Sequence, residues 1–279
     1  MNRTRPLHFQ HFASLQAMQR WIEATPATWT YKQSRTGTAS QSWDLNAGWE
    51  GALKLARDGW REGGAAFATG LATLPAMEPA PAWTLDVGGF FPDVPRYLTG
   101  RPDCMWNEAQ DPDAHRKPTL TLVVSTAANC GTDAKAMGNY GMAIAHYVDE
   151  LENAGLQVEV IACIAERYSR ADAAWTWTVK AAGERMNLET VAFSIAHPAC
   201  FRRLGFALIE RLPVSIPQEY GYGTAQATAR WHIAPSDFKD AVILNGMINA
   251  NSHSATREGA YRHVVAEIEA ARAELDNAA

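Results

Sequence analysis

The chain has 279 residues, 47% hydrophobic and 20% charged, with 25 Lys and Arg against 30 Asp and Glu. That length gives one large domain or two small ones a full core, and the composition excludes a disordered chain. No run approaches the roughly 20 apolar residues that cross a bilayer, and "MNRTRPLHFQHF" lacks the apolar core of a signal peptide, so no membrane partner is expected. The four cysteines, Cys104, Cys130, Cys163 and Cys200, are scattered without a CxxC pair. They read as reduced cytoplasmic thiols, not as a disulfide framework or a zinc site.

The net charge of −5 is unevenly spread. Residues 1–43 hold Arg3, Arg5, Arg20, Lys32 and Arg35 against one acid, Glu23, whereas the remainder holds 20 bases and 29 acids. Such asymmetry points to an end that faces a polyanion. The chain has ten Trp, seven of them before residue 107, and the structural reading of any one of them is core packing.

Ser14 is placed to cap a helix over "LQAMQRWIEA", whose Leu15, Met18, Trp21 and Ile22 share a face. The helix should stop at Thr25-Pro26. "TWTYKQSRTGTASQSW" (28–43) follows, with seven Ser and Thr, no carboxylate and one Ala as its aliphatic content. An exposed hairpin or ordered loop suits it. "DLNAGWEGALKLARDGWREGGAAFATGLATL" predicts one or two glycine-interrupted helices with Asp44 as a cap. Residues 75–118, rich in Pro, Gly and Asp, read as a long irregular connection.

The second half is more regular. "TLTLVVS" predicts a buried strand, Ala136–Ala154 an amphipathic helix closed by Gly155, "LQVEVIACIA" a second strand and "WTWTVKA" a third. Helices follow at "LETVAFSIA" and "PACFRRLGFALIERL", then a glycine-rich "YGYG" loop, a strand in "DAVILNGMI" and a closing helix. Thr119–Val124 and Val158–Ala162 should be parallel neighbours joined by a right-handed crossover. The expected fold is α/β, a mixed sheet with flanking helices, plus a Trp-rich N-terminal region. Its regions are 1–75, basic, aromatic and helical; 76–117, the irregular connection; and 118–279, the α/β core with its closing helix. Together they form one compact unit.

Recognised catalytic signatures are absent. The loop "STAANCGTDAKAMGNYG" lacks the GK[ST] of a P-loop, and there is no GxGxxG, so no cofactor is expected. His8 and His11 have HxxH spacing on a terminus read as frayed, without a third ligand. His197 near Cys200 is either a nucleophile pair or a capping His beside a buried thiol. Asp86, Asp93, Asp103, Asp111 and Asp113 are either paired carboxylates or turn-formers.

Binding of single-stranded nucleic acid needs π-faces for unstacked bases and cations for phosphates. Trp29, Tyr31 and Trp43 offer rings, and Lys32 and Arg35 offer charge. A second cluster, "ERYSRADAAWTWTVKAAGER", offers Arg167, Tyr168, Arg170 and Lys180. Its Trp175 and Trp177 alternate onto one strand face, as a stacking platform or a buried face. Arg202 and Arg203 add a third basic point.

The layout around "STAANC" and "DELENAGLQVEV" is similar to a von Willebrand factor A-like core. The Asp and spaced Ser that would hold Mg²⁺ there are replaced by Ser125, Thr126 and Asn129, with Asp133 late, so the metal site is degenerate. "SWDLNAGWEGALKLARDGWREG", "DVPRYLTGRPDCM", "LENAGLQVEV" and "HPACFRRLGFALIE" together resemble an uncharacterised family of bacteriophage proteins. Size, the basic-aromatic segment and an acidic last helix (Glu267, Glu269, Glu274, Asp276) are similar to the single-stranded-DNA-binding cofactors of phages that encode their own small RNA polymerase. That resemblance implies binding to melted promoter DNA, recruitment of the phage RNA polymerase, no enzymatic activity and a host-cytoplasmic location. A homo-oligomer is compatible with it. The rival expectation is a protein-interaction scaffold on a degenerate von Willebrand A-like core.

Overall fold

The computed structural model describes residues 5–71, 83–89, 91–108, 119–216, 222 and 224–276. The chain opens with β1 (Leu7–Phe12), α1 (Leu15–Ala24), two helical turns α2 (Gln33–Thr36) and α3 (Gln41–Asp44), then α4 (Gly48–Asp58) and α5 (Arg61–Leu71). A small sheet follows, with β2 (Trp83–Asp86), β3 (Phe91–Pro92), α6 (Val94–Leu98) and β4 (Met105–Glu108). Next come β5 (Thr119–Ser125), α7 (Ala134–Asn153), β6 (Gln157–Arg167), β7 (Asp172–Lys180) and α8 (Leu188–Ala196). A π-helical turn (Cys200–Gly205) leads into α9 (Phe206–Ile209), and β8 (Thr224–Ala225), α10 (Arg230–Ile233), β9 (Val242–Leu244), a 3₁₀ segment (Gly246–Ser252) and α11 (Arg257–Asp276) complete it.

The fold is α/β. Its central sheet runs β1-β7-β6-β5-β9, with β8 paired to the end of β6. β5 and β6 are parallel, from Thr119 opposite Gln157 to Ser125 opposite Cys163, as the strand–helix–strand pattern predicts. β9 adds in parallel to the other side of β5, and β7 turns back antiparallel to β6. Local chemistry fixes the helix ends. Ser14 Oγ accepts the Ala17 N–H at 3.1 Å to start α1, and Gly155 takes φ 94° just beyond α7, where a side chain would be strained.

Two expectations fail. The N-terminus is not frayed: β1 pairs in parallel with β7, Leu7 opposite Asp172 through Phe12 opposite Trp177. His8 and His11, three apart on a strand, therefore face opposite sides of the sheet and share no ligand. His8 meets Trp175 edge-on at 6.0 Å, while His11 meets Phe238 at 5.3 Å. The 75–118 connection is also not wholly irregular, since β2 and β3 both pair antiparallel with β4. Its acids serve turns: Asp93 caps α6, Asp86 accepts the Val87 N–H and Asp103 pairs with Arg96 and Arg101. Asp111 and Asp113 lie outside the described residues.

One apolar core runs from Phe12 to Ile268, so residues 5–71 and 119–276 bury their hydrophobic faces together. A smaller cluster on the opposite sheet face joins Val123, Ile161 and Cys163 to Ile233 and Ala241. Trp175 and Trp177 do share a face, and it is fully buried in the main core rather than open as a platform. Among the described residues no helix is long and apolar enough to cross a membrane.

His197 closes α8. Its Nδ1 accepts the Ala199 N–H at 3.1 Å, its carbonyl accepts the Cys200 N–H, and burial pushes the Cys200 thiol well up. This is the capping arrangement, not an activated thiolate. Burial holds the His197 imidazole down at about 4, partly opposed by the Asp44 charge. An unfolded histidine titrates near 6.5, so between about pH 6.5 and 4 the unfolded chain binds the extra proton. The stability that neutral His197 provides is fully present above the unfolded value and is lost as pH falls toward the folded one. His197→Asn should thus flatten the acid limb of the stability profile by about 2–3 kcal/mol between pH 7 and 4. Urea midpoints of both proteins across that range measure it, and parallel profiles would contradict the assignment.

Candidate nucleic-acid interface

The polar stretch 28–43 is tied to the body by buried charge. Arg203 is fully buried; its Nε donates to Asp44 Oδ2 at 2.8 Å and its Nη2 lies 2.6 Å from the same oxygen. Its Nη1 donates to the carbonyls of Gln33, Ser34 and Gly37. Arg202, equally buried, donates to the carbonyls of Ser42, Trp43 and Thr132, and its guanidinium stacks 4.4 Å over the Trp43 ring. Burial lowers its pKa, opposed by Cys130, Asp44 and Asp133. Asp44 completes the knot by accepting the N–H groups of Ser40 and Gly48.

A second anchor is Glu210 at the end of α9. Its buried carboxylate accepts the Ser34 N–H at 2.9 Å, the Ser34 hydroxyl at 2.6 Å and the Tyr222 hydroxyl at 2.7 Å. Its carbonyl accepts the N–H groups of Thr28 and Trp29. Trp29 is thereby drawn into the core at 4% exposure, against Tyr168 at 6.1 Å and Tyr222 at 5.5 Å. Burial and Glu210 together push the Tyr222 phenol well up.

These positions correct much of the expected site. Trp29, Arg202 and Arg203 are internal, and Trp43 is half-buried under Arg202, so none presents a free face or charge to a ligand. Lys180 is also internal, bonded to Glu152 at 2.6 Å and to the Val158 carbonyl at 2.8 Å. The stretch 28–43, expected as an exposed hairpin or ordered loop, is a loop carrying the short helical turns α2 and α3, because its carbonyls must converge on the arginines. In the acidic last helix, Glu267 accepts from Tyr140 and from the Asn245 N–H, an inward role.

The other five remain at the surface. Tyr31 is 52% exposed, Lys32 and Arg35 are exposed beside it, and the Arg35 guanidinium lies 4.9 Å over Trp49. Arg167 and Arg170 flank the buried Tyr168 in the β6–β7 turn; Arg167 lies 3.6 Å from Asp172. Tyr168 packs on Trp29, so two segments over 130 residues apart in sequence meet at one aromatic cluster. Arg5, not singled out by sequence, joins them by donating to the Tyr168 carbonyl at 2.6 Å. Tyr222 and Glu210 were missed too; only the "YGYG" loop hinted at the former.

The residues at the position where a von Willebrand A-like core would hold Mg²⁺ are engaged within the protein. Ser125 is fully buried, Thr126 bonds the Cys163 carbonyl, Asn129 bonds Ile248 and Asn249, and Asp133 caps α7. Among the described residues no cluster of His, Cys, Asp and Glu is arranged to hold a metal.

Removing Asp44 strands a buried guanidinium, and removing Trp29 opens a cavity. Asp44→Ala should cost about 3–5 kcal/mol of stability. Trp29→Ala should cost a similar amount, about 3–5 kcal/mol. Urea denaturation reads both; losses below about 1 kcal/mol would contradict the packing described.

No curated protein and no solved structure matches this chain. A family described as a domain of unknown function (DUF7192) matches residues 3–271, nearly the whole of the fold that positions this surface, and the chain belongs to that family.

Proposed function

We propose that this protein binds single-stranded nucleic acid at the surface around Tyr31. The observation that carries the reading is the meeting of the 28–35 and 167–170 segments at Trp29 and Tyr168. One segment carries the exposed Tyr31 ring with Lys32 and Arg35, the other carries exposed Arg167 and Arg170, and Arg5 bonds the Tyr168 carbonyl between them, on a chain whose net charge is −5. Rings for bases and cations for phosphates are what sequence-tolerant single-strand binding requires. The resemblance to phage polymerase cofactors suggests the setting: melted promoter DNA held here while a polymerase is contacted elsewhere.

A scaffold without nucleic acid is the second reading. It is favoured by one observation, the large exposed apolar side chains of the small sheet and α6: Val87, Phe91, Val94, Tyr97 and Leu98. Apolar groups concentrated on a surface mark protein contacts, which a polymerase-binding cofactor also needs.

Anisotropy of labelled oligo(dT) across salt concentrations separates the readings. Tyr31→Ala should weaken binding by about 1–3 kcal/mol at an unchanged salt slope. Lys32→Ala and Arg170→Ala should each flatten the log–log slope by roughly 0.7. All three should melt like the parent, within about 0.5 kcal/mol. Wild-type protein that leaves oligo(dT) unbound at low salt would favour the scaffold.

A further inference from the structure

Between α5 and the first half of α7 lies a groove of about 620 Å³, bordered also by Gln41, Ser42 and Leu45. That volume falls within the roughly 300–1,000 Å³ typical of small-molecule sites. We propose that it binds a small aromatic anion of one or two rings, a site separate from the nucleic-acid surface.

The walls are Trp60, Phe67, Leu45 and Met142. Trp60 is held in place from two sides. A Cβ on Gly63 would stand 2.1 Å from its ring, so only a glycine there lets the indole lie against α5. His197 meets the ring edge-on at 4.6 Å. A fixed indole with a polarizable Met142 across the groove suits a flat ring, which gains by stacking and sulfur contact without rearrangement. The floor is open at Gly138, where an added Cβ would meet nothing within 4 Å.

The sign of the ligand's charge comes from the mouth. Lys135 lines it, exposed to solvent, at the start of the 20-residue α7. Both the ammonium and the positive helix end favour an anion. Asp133 lines the same mouth, but its carboxylate is engaged as the helix cap, accepting the Lys135 N–H at 2.6 Å, so the Lys135 ammonium is the charge left for a ligand. A carboxylate or sulfonate at Lys135 with its rings over Gly138 and beside Trp60 satisfies both ends.

The test uses 1-anilinonaphthalene-8-sulfonate, whose rings and sulfonate match this class, in a fluorescence titration of the full chain. Wild type should show saturable binding of one equivalent. Gly138→Leu fills the floor and should weaken binding at least about tenfold, while melting no earlier than wild type because nothing crowds the new side chain. Lys135→Gln should weaken it about three- to tenfold and reduce its salt dependence. Oligo(dT) binding should be unchanged in both variants, so a failure here is distinct from a failure of the nucleic-acid reading. A wild type that does not bind the dye, or a Gly138→Leu protein that binds it equally well, would overturn the proposal.

Discussion

Two consecutive arginines without access to water, Arg202 and Arg203 on the π turn, set the shape of the N-terminal half. A guanidinium carries five N–H donors and a permanent charge, and it is tolerated inside a protein only where acceptors surround it. Here eight main-chain carbonyls between Gln33 and Thr132 and the Asp44 carboxylate supply them. Carbonyls converge on one point only if the backbone turns repeatedly. This explains why 28–48 forms α2, α3 and the start of α4 rather than a hairpin. The wide π turn is a local departure of the kind often found at functional sites.

The composition of the polar stretch follows from that constraint. Its side chains need not build a core, because its backbone and a few side chains such as Ser34 make the buried bonds. Trp29 plunges inward to cement the Tyr168–Tyr222 cluster. What remains outside is a tyrosine among cations, held on a segment that the network makes rigid. In the proposed reading, a surface pre-ordered in this way would bind without first losing chain entropy, which is the advantage of fixed aromatic anchors over a loose basic tail.

Much of the fold was legible in the sequence. Ser14 before an apolar stripe marked α1, the β-branched runs marked β5 and β6, and the amphipathic stretch between them fixed their parallel pairing. β1 was hidden because its sheet partner, β7, lies 165 residues away, and "LHFQHF" carries little strand signal alone. The buried arginines were hidden for a different reason. Lys and Arg are almost never fully buried unless paired, so a basic doublet reads as surface. Most of their partners are carbonyls, which leave no trace in side-chain identity, and the one acid, Asp44, also suits a helix cap. Lys180 misled in the same way, its partners being Glu152 and backbone oxygens. Tyr31, Lys32, Arg35, Arg167 and Arg170 were legible as candidates, but the meeting of their two segments depends on this hidden packing and emerged only from the fold.

The most direct test of the account is where nucleic acid touches the chain. Photocrosslinking of a 5-bromodeoxyuridine oligonucleotide, followed by mass spectrometry of the peptides, locates that contact without any mutation. Adducts are expected on the peptide carrying Tyr31 and on the one carrying the Arg167–Arg170 turn, both suppressed by high salt. Adducts confined to the small sheet, to α11 or to the groove beside Trp60 would contradict it.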